Sequence, residues 1–124
     1  MNISRLFLVI GSLYLLVGII LGMYMGSIED FTLAPVHAHI NLLGFTLMTV
    51  FGITYRVIPA LAGNVLARAH FWLHQLGGLA LLIGLFLLKN GNMAPGVTAI
   101  TMPVSSIVVF VGMACWAVNV FRTA

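Results

Sequence analysis

Polar and apolar positions alternate along this chain in long blocks, not residue by residue. Four apolar runs stand out, Leu6–Met25, Val36–Ile58, Ala69–Leu88 and Val97–Val120, each about 20 to 24 residues long. Short polar stretches separate them, at roughly 26–35, 59–68 and 89–96. About 20 helical residues cross a hydrocarbon core roughly 30 Å thick. Lipid offers no hydrogen bonds, so a spanning segment is a helix or a strand of a closed barrel. Strand-like alternation is missing and the runs are about twice strand length. The pattern therefore predicts an all-α integral membrane protein. Its four transmembrane helices form one domain over 1–124, and the short connections imply an up-down-up-down bundle.

Composition agrees. The chain is 62% hydrophobic and 6% charged, with a mean hydropathy of +1.19, whereas soluble domains carry about 25% charged residues. A water-soluble globule is excluded. The net charge of +3 forms no basic patch and gives no reason to expect nucleic acid. Placement of the charges is more telling. Arg5, Arg56, Arg68 and Arg122 fall on one side of the bundle, Lys89, Glu29 and Asp30 on the other. The positive-inside rule then puts both termini in the cytoplasm, with a bacterial inner membrane as the expected location. Tyr55, Trp72 and Trp116 on that side, and Tyr24 on the other, fit interfacial belts. The first run is too long for a secretory signal and lacks a small-residue cleavage site. A single cysteine, Cys115, lies inside the fourth run and reads as a small apolar filler.

Small residues and proline shape the helices. Gly11, Gly18, Gly22 and Gly26 share one face of the first helix and form a seam for close approach, to a helix of this chain or of another copy. Four short helices leave little interior, so a homo-oligomer is expected. Pro103 predicts a kink in the fourth helix, with Ser105 and Ser106 at hand for the freed backbone groups.

The chemistry-bearing residues are four histidines, paired at two span starts. Polar rings inside a membrane are costly and point to function. Neutral imidazole is a ligand for zinc, copper and heme iron. His70 and His74 are four apart and share a face that Gly77 and Gly84 continue. That stripe can chelate one ion or leave room beside the helix for a flat cofactor. His37 and His39 are two apart, about 200° around a regular helix, so they point to opposite sides. Asn41, Gly44, Met48, Gly52 and Tyr55 continue the His37 side; Leu43, Thr46, Val50 and Ile53 continue the His39 side as ordinary packing.

Depth separates the pairs. His37 and His39 begin a helix entering from the outer face, His70 and His74 one entering from the inner face. At a rise of 1.5 Å per residue they stand about 20 Å apart along the membrane normal. Two imidazoles on one iron, with bonds of about 2 Å, need their α-carbons only about 12 Å apart. One heme shared by both pairs of a single chain is disfavoured.

"HAHINLLGF", followed by "FGITYRVIP", resembles the second transmembrane helix of the catalytic subunit of heme-copper oxidases and nitric oxide reductases. His37, Gly52 and Pro59 match its histidine, glycine and proline. Phe71, Trp72 and Gly77 resemble the start of the helix that follows. The resemblance covers about residues 30–85. It implies that His37 ligates a low-spin, b-type heme near the outer face, or His39 if "HINLL" is matched to the reductases. The family's further heme and copper ligands lie on later helices that this chain lacks, so a complete binuclear centre is not implied.

Three functions follow as expectations. The first is a small heme protein of electron transfer or diatomic gas binding, with a second axial ligand from another copy and a redox partner or oxidase subunits nearby. The second is a copper or zinc protein of metal handling or oxidase assembly. The third is a cofactor-free structural subunit. For the first two, His37, His39, His70 and His74 are the candidate cofactor and metal ligands. No catalytic residues are visible, so enzymatic activity would be redox chemistry at the cofactor.

Overall fold

The computed structural model describes residues 1–123. It contains four long helices: α1 (Ile3–Ile28), α2 (Ala34–Val57), α3 (Val65–Lys89) and α4 (Pro95–Thr123). All four are long and apolar enough to cross a membrane, and no strand occurs among the described residues. The four-helix membrane architecture expected from the apolar runs is the one observed. Large apolar side chains such as Leu13, Ile20, Ile100 and Phe110 stand exposed on the bundle's outside, where lipid rather than water would meet them.

Local signals set the helix ends. Asn2 caps α1 by accepting the backbone N–H of Arg5 at 3.0 Å, which relieves one of the unpaired donors of the first turn. The helix stops at Glu29, whose φ of 53° is left-handed, with its N–H returned to the Met25 carbonyl. In the following turn Asp30 accepts from the Thr32 hydroxyl at 2.6 Å and from its backbone N–H at 3.0 Å. Those two bonds, the hydroxyl's first, hold the Asp30 carboxyl below its usual pKa. Pro35 occupies the first turn of α2, where its missing N–H costs nothing. A short 3-10 turn, Pro59–Leu61, leads to Asn64, which caps α3 through the Ala67 N–H at 2.9 Å. Gly91, at a φ of 72°, turns the chain after α3.

Two helices depart from a plain reading. From Ile40 to Thr46, α2 widens to a π-helix, with backbone bonds reaching five residues back instead of four. The widening turns Leu43 inward, to 8% exposure, whereas Val50 and Ile53 of the same predicted face stay exposed. In α4, Pro103 lies within one continuous helix. The Ser106 hydroxyl bonds the Met102 carbonyl at 2.8 Å, not the Ala99 carbonyl that the proline leaves without its helical donor.

Glycine sets how closely the helices approach. The α1 seam faces α2 of the same chain. A β-carbon on Gly22 would lie 2.8 Å from His37 Cε1, and one on Gly18 would collide with the Asn41 side chain. Gly44 and Gly52 of α2 return the arrangement, admitting Tyr14 and Leu8 of α1. Helices α3 and α4 pair in the same manner, Gly77 against Val108 and Val109, Gly112 against the backbone at His70 and His74. The two pairs join at the end that carries the termini, in a core of Phe7, Met48, Phe51, Tyr55, Ala67 and Phe71. Toward the other end they part, leaving an open apolar groove of about 730 Å³ between α1 and α3.

Candidate functional site

The four histidines occupy three different environments. His37 is half-buried against α1. Its Nδ1 donates to the Gly18 carbonyl at 2.7 Å. A carbonyl can only accept, so the hydrogen sits on Nδ1 and Nε2 keeps a lone pair. That lone pair faces the Asn41 amide, which donates to it at 3.3 Å. Gly18 and Gly22 provide the space for this pair, so the ring acts as a pin between α1 and α2 with both nitrogens engaged.

His39 is exposed. Its Nδ1 donates to the Pro35 carbonyl one turn back, at 2.7 Å, which again fixes the hydrogen on Nδ1. Its Nε2 is bare and accessible on the outer surface of the helix. Ligating histidines are ordinarily oriented this way, with the far ring N–H held by a carbonyl and the other nitrogen free.

His70 and His74 are fully buried, both at 0% exposure. His70 Nδ1 lies 2.7 Å from the Tyr55 hydroxyl. His74 Nε2 donates to the Leu43 carbonyl at 3.1 Å, within the π segment of α2. Aromatic rings enclose both: Phe51 meets His70 edge-on at 4.3 Å and His74 at 5.4 Å, while Phe7 lies 5.0 Å from His70. Each imidazole retains one buried nitrogen without a partner, Nε2 of His70 and Nδ1 of His74. The indole N–H of Trp116, on the same Phe51 ring at 5.2 Å, is likewise unpaired.

The pairs are well separated. His37 bonds α1 at Gly18, and His70 packs on α1 at Phe7, eleven residues away, or about 16 Å along the helix. Among the described residues, no three His, Cys, Asp or Glu side chains gather at one point. The room that Gly77 and Gly84 leave beside α3 is filled by α4, through Val108, Val109 and Met102. That face of α3 cradles a helix, not a flat cofactor.

Sequence reasoning misplaced two residues and passed over two more; Trp116, expected at an interface, turns its indole N–H into the core beside Phe51. Tyr55 is not in an interfacial belt; at 2% exposure it points inward to His70, because the turn after α2 brings α3 alongside. Asn119, at 1% exposure, donates to the Leu61 carbonyl at 2.8 Å and accepts from Asn64 at 2.7 Å, tying α4 to the α2–α3 turn. Asn64 stands just before an apolar run, a readable helix-start signal. Asn119 carries no such marker. Comparison with family models, curated proteins and solved structures returns no match.

Proposed function

We propose that the chain is a small heme-binding membrane protein, with His39 supplying one axial nitrogen, that works in electron transfer or in binding a diatomic gas. The observation that carries the reading is the state of the His39 ring. Its Nδ1–H is held by the Pro35 carbonyl at 2.7 Å and its Nε2 is free on an exposed face. The other three histidines fit the group less well. His37 has both nitrogens engaged, and the open nitrogens of His70 and His74 are sealed inside the bundle. The "HINLL" segment resembles the heme-ligating helix of nitric oxide reductases at this same residue.

The surroundings fit an apolar macrocycle on the helix surface. The only cysteine, Cys115, cannot provide a two-thiol covalent attachment, which favours a b-type heme. Heme would supply a one-electron redox change and a metal centre for a gas. The chain's own part is to fix the imidazole tautomer, raise its basicity through the Pro35 carbonyl, and keep water away with lipid-facing side chains. One chain offers one such nitrogen, so a second copy would bring the other His39 at the same depth. Both termini would face the cytoplasm, the orientation that the arginine distribution favours.

Absorption spectra of the protein purified in detergent test the reading. A Soret band and a pyridine hemochrome are expected in the parent and in His37→Ala, and their loss in His39→Ala. Unchanged heme content in His39→Ala sinks the assignment. A colourless preparation with stoichiometric copper or zinc would favour metal handling. A colourless, metal-free one would favour a structural subunit.

A further inference from the structure

Charge is scarce in this chain, and the fold sorts it by sign. Each of the four helices brings one arginine to the same end of the bundle. Arg5 is in the first turn of α1, Arg56 in the last turn of α2, Arg68 in the first turn of α3 and Arg122 in the last turn of α4. Lys89 and the chain's only two carboxylate side chains, Glu29 and Asp30, lie at the other end. From Arg5 to Glu29 is about 36 Å along α1 at 1.5 Å per residue, against a screening length of about 8 Å at physiological salt. The arginines therefore have no acidic side chain to offset them.

One of them borders a cavity. Between the start of α3 and the end of α4 lies a hollow of about 330 Å³, lined by Asn64, Val65, Leu66, Asn119, Arg122 and Thr123. Its neutral polar groups are committed to one another and to the backbone. Asn64 accepts the Ala67 N–H and donates to Asn119 Oδ1. Asn119 donates to the Leu61 carbonyl, and the Thr123 hydroxyl reaches Asn119 Oδ1 at 3.4 Å. The charged member of the wall, Arg122, is exposed. Arg56, by contrast, is tied to α1, where its Nε donates to the Ser4 hydroxyl at 3.2 Å.

Next to the arginines the surface turns apolar at once. Phe121 stands 93% exposed beside Arg122, and Val65 on the α3 side 68%. Trp72 and Leu76 follow Arg68 down the same face of α3, both exposed. A ligand that fits must carry negative charge at the membrane surface and hydrocarbon immediately beneath it. A soluble phosphate lacks the second and a zwitterionic lipid the net charge. We propose that this cavity is a binding site for an anionic phospholipid, its phosphate held by Arg122 and its acyl chains laid along α3 and α4. A guanidinium fork matches phosphate oxygens in pairs, and Arg68, one turn on from Val65, adds a second charge. Basic pockets between membrane helices take such head groups. The site is independent of what His39 binds.

Native mass spectrometry of the protein in detergent, titrated with phosphatidylglycerol or with phosphatidylcholine of the same acyl chains, tests the proposal. One phosphatidylglycerol per chain should be retained in preference to phosphatidylcholine. Arg122→Gln should weaken that retention about tenfold, the scale of one lost charge-assisted hydrogen bond. Arg5→Gln removes the same charge away from the cavity and should weaken it less than about twofold, because screening blunts distant charges. Both side chains are exposed, so the core survives either change, and the lipid preference of the parent chain needs no variant. Equal retention of the two lipids would overturn the site. So would equal losses in the two variants, or displacement of the lipid by an equal concentration of inorganic phosphate.

Discussion

His37 and His39 on one side and His70 and His74 on the other are the same residue type, paired at the starts of two helices. The structure treats them differently. In the first pair, two residues of separation send one ring into the α1 seam and the other out toward lipid. In the second, four residues of separation put both rings on the buried face of α3, among phenylalanines. Availability for a ligand is thus set by which ring nitrogen a neighbouring carbonyl occupies and whether the other can be reached. Counting histidines says neither.

The largest test of this contrast is His39→Ala against His74→Ala. On the proposed heme assignment, removal of the exposed ring should abolish the Soret band and leave thermal unfolding in detergent almost unchanged, because the ring is exposed. Removal of the buried ring should leave the heme spectrum intact. It should cost about 2–4 kcal/mol, from a core cavity and an unpaired Leu43 carbonyl. An equal loss of stability in the two variants would break the comparison.

Next in size is Gly18→Leu. Its side chain would claim the space of Asn41, which supports His37. Overpacking of this kind costs about 1–3 kcal/mol and should lower the unfolding midpoint without removing heme. Tyr55→Phe should cost about 1 kcal/mol, the worth of one net hydrogen bond, read by the same unfolding assay.

The smallest effect belongs to Asp30, outside the membrane-spanning helices. Its carboxyl lies below the ordinary value of 3.8 in the folded state, so folding favours the charged form. Its contribution is present above that value and fades as the pH falls below it. Asp30→Asn should therefore flatten the acid end of a stability-against-pH profile, and leave neutral pH nearly unaltered.

The four helices were legible because lipid makes a spanning segment announce itself by length and apolarity alone. The opposed directions of His37 and His39 were open to inference too, since Pro35 starts a regular helix and geometry within one turn is local. The π segment was not. Nothing in "INLLGFT" marks it; the Leu43 carbonyl is met by His74, thirty-one residues later. Tyr55 misled for a related reason. A tyrosine near the end of an apolar run fits a headgroup belt, and only the fold brings His70 within 2.7 Å of its hydroxyl. The glycine seam declared close packing but not its partner, because Asn41 and His37 fit those hollows only once α2 lies antiparallel on α1.

The widened stretch of α2 has a consequence for insertions and deletions. A π segment is, in effect, one residue more than an α-helix of the same path needs. Deleting Phe45 would let the ordinary helix close with its backbone bonds satisfied. The helix before the deletion would then keep nearly its present facing relative to the rest of α2, because the residue removed is the extra one. His37 would stay at the hollow of Gly18 and Gly22, and His39 on its outward face. The contact put at risk is the one from His74 to the Leu43 carbonyl inside the widened stretch, so a single deletion would strike the inner pair and spare the outer one.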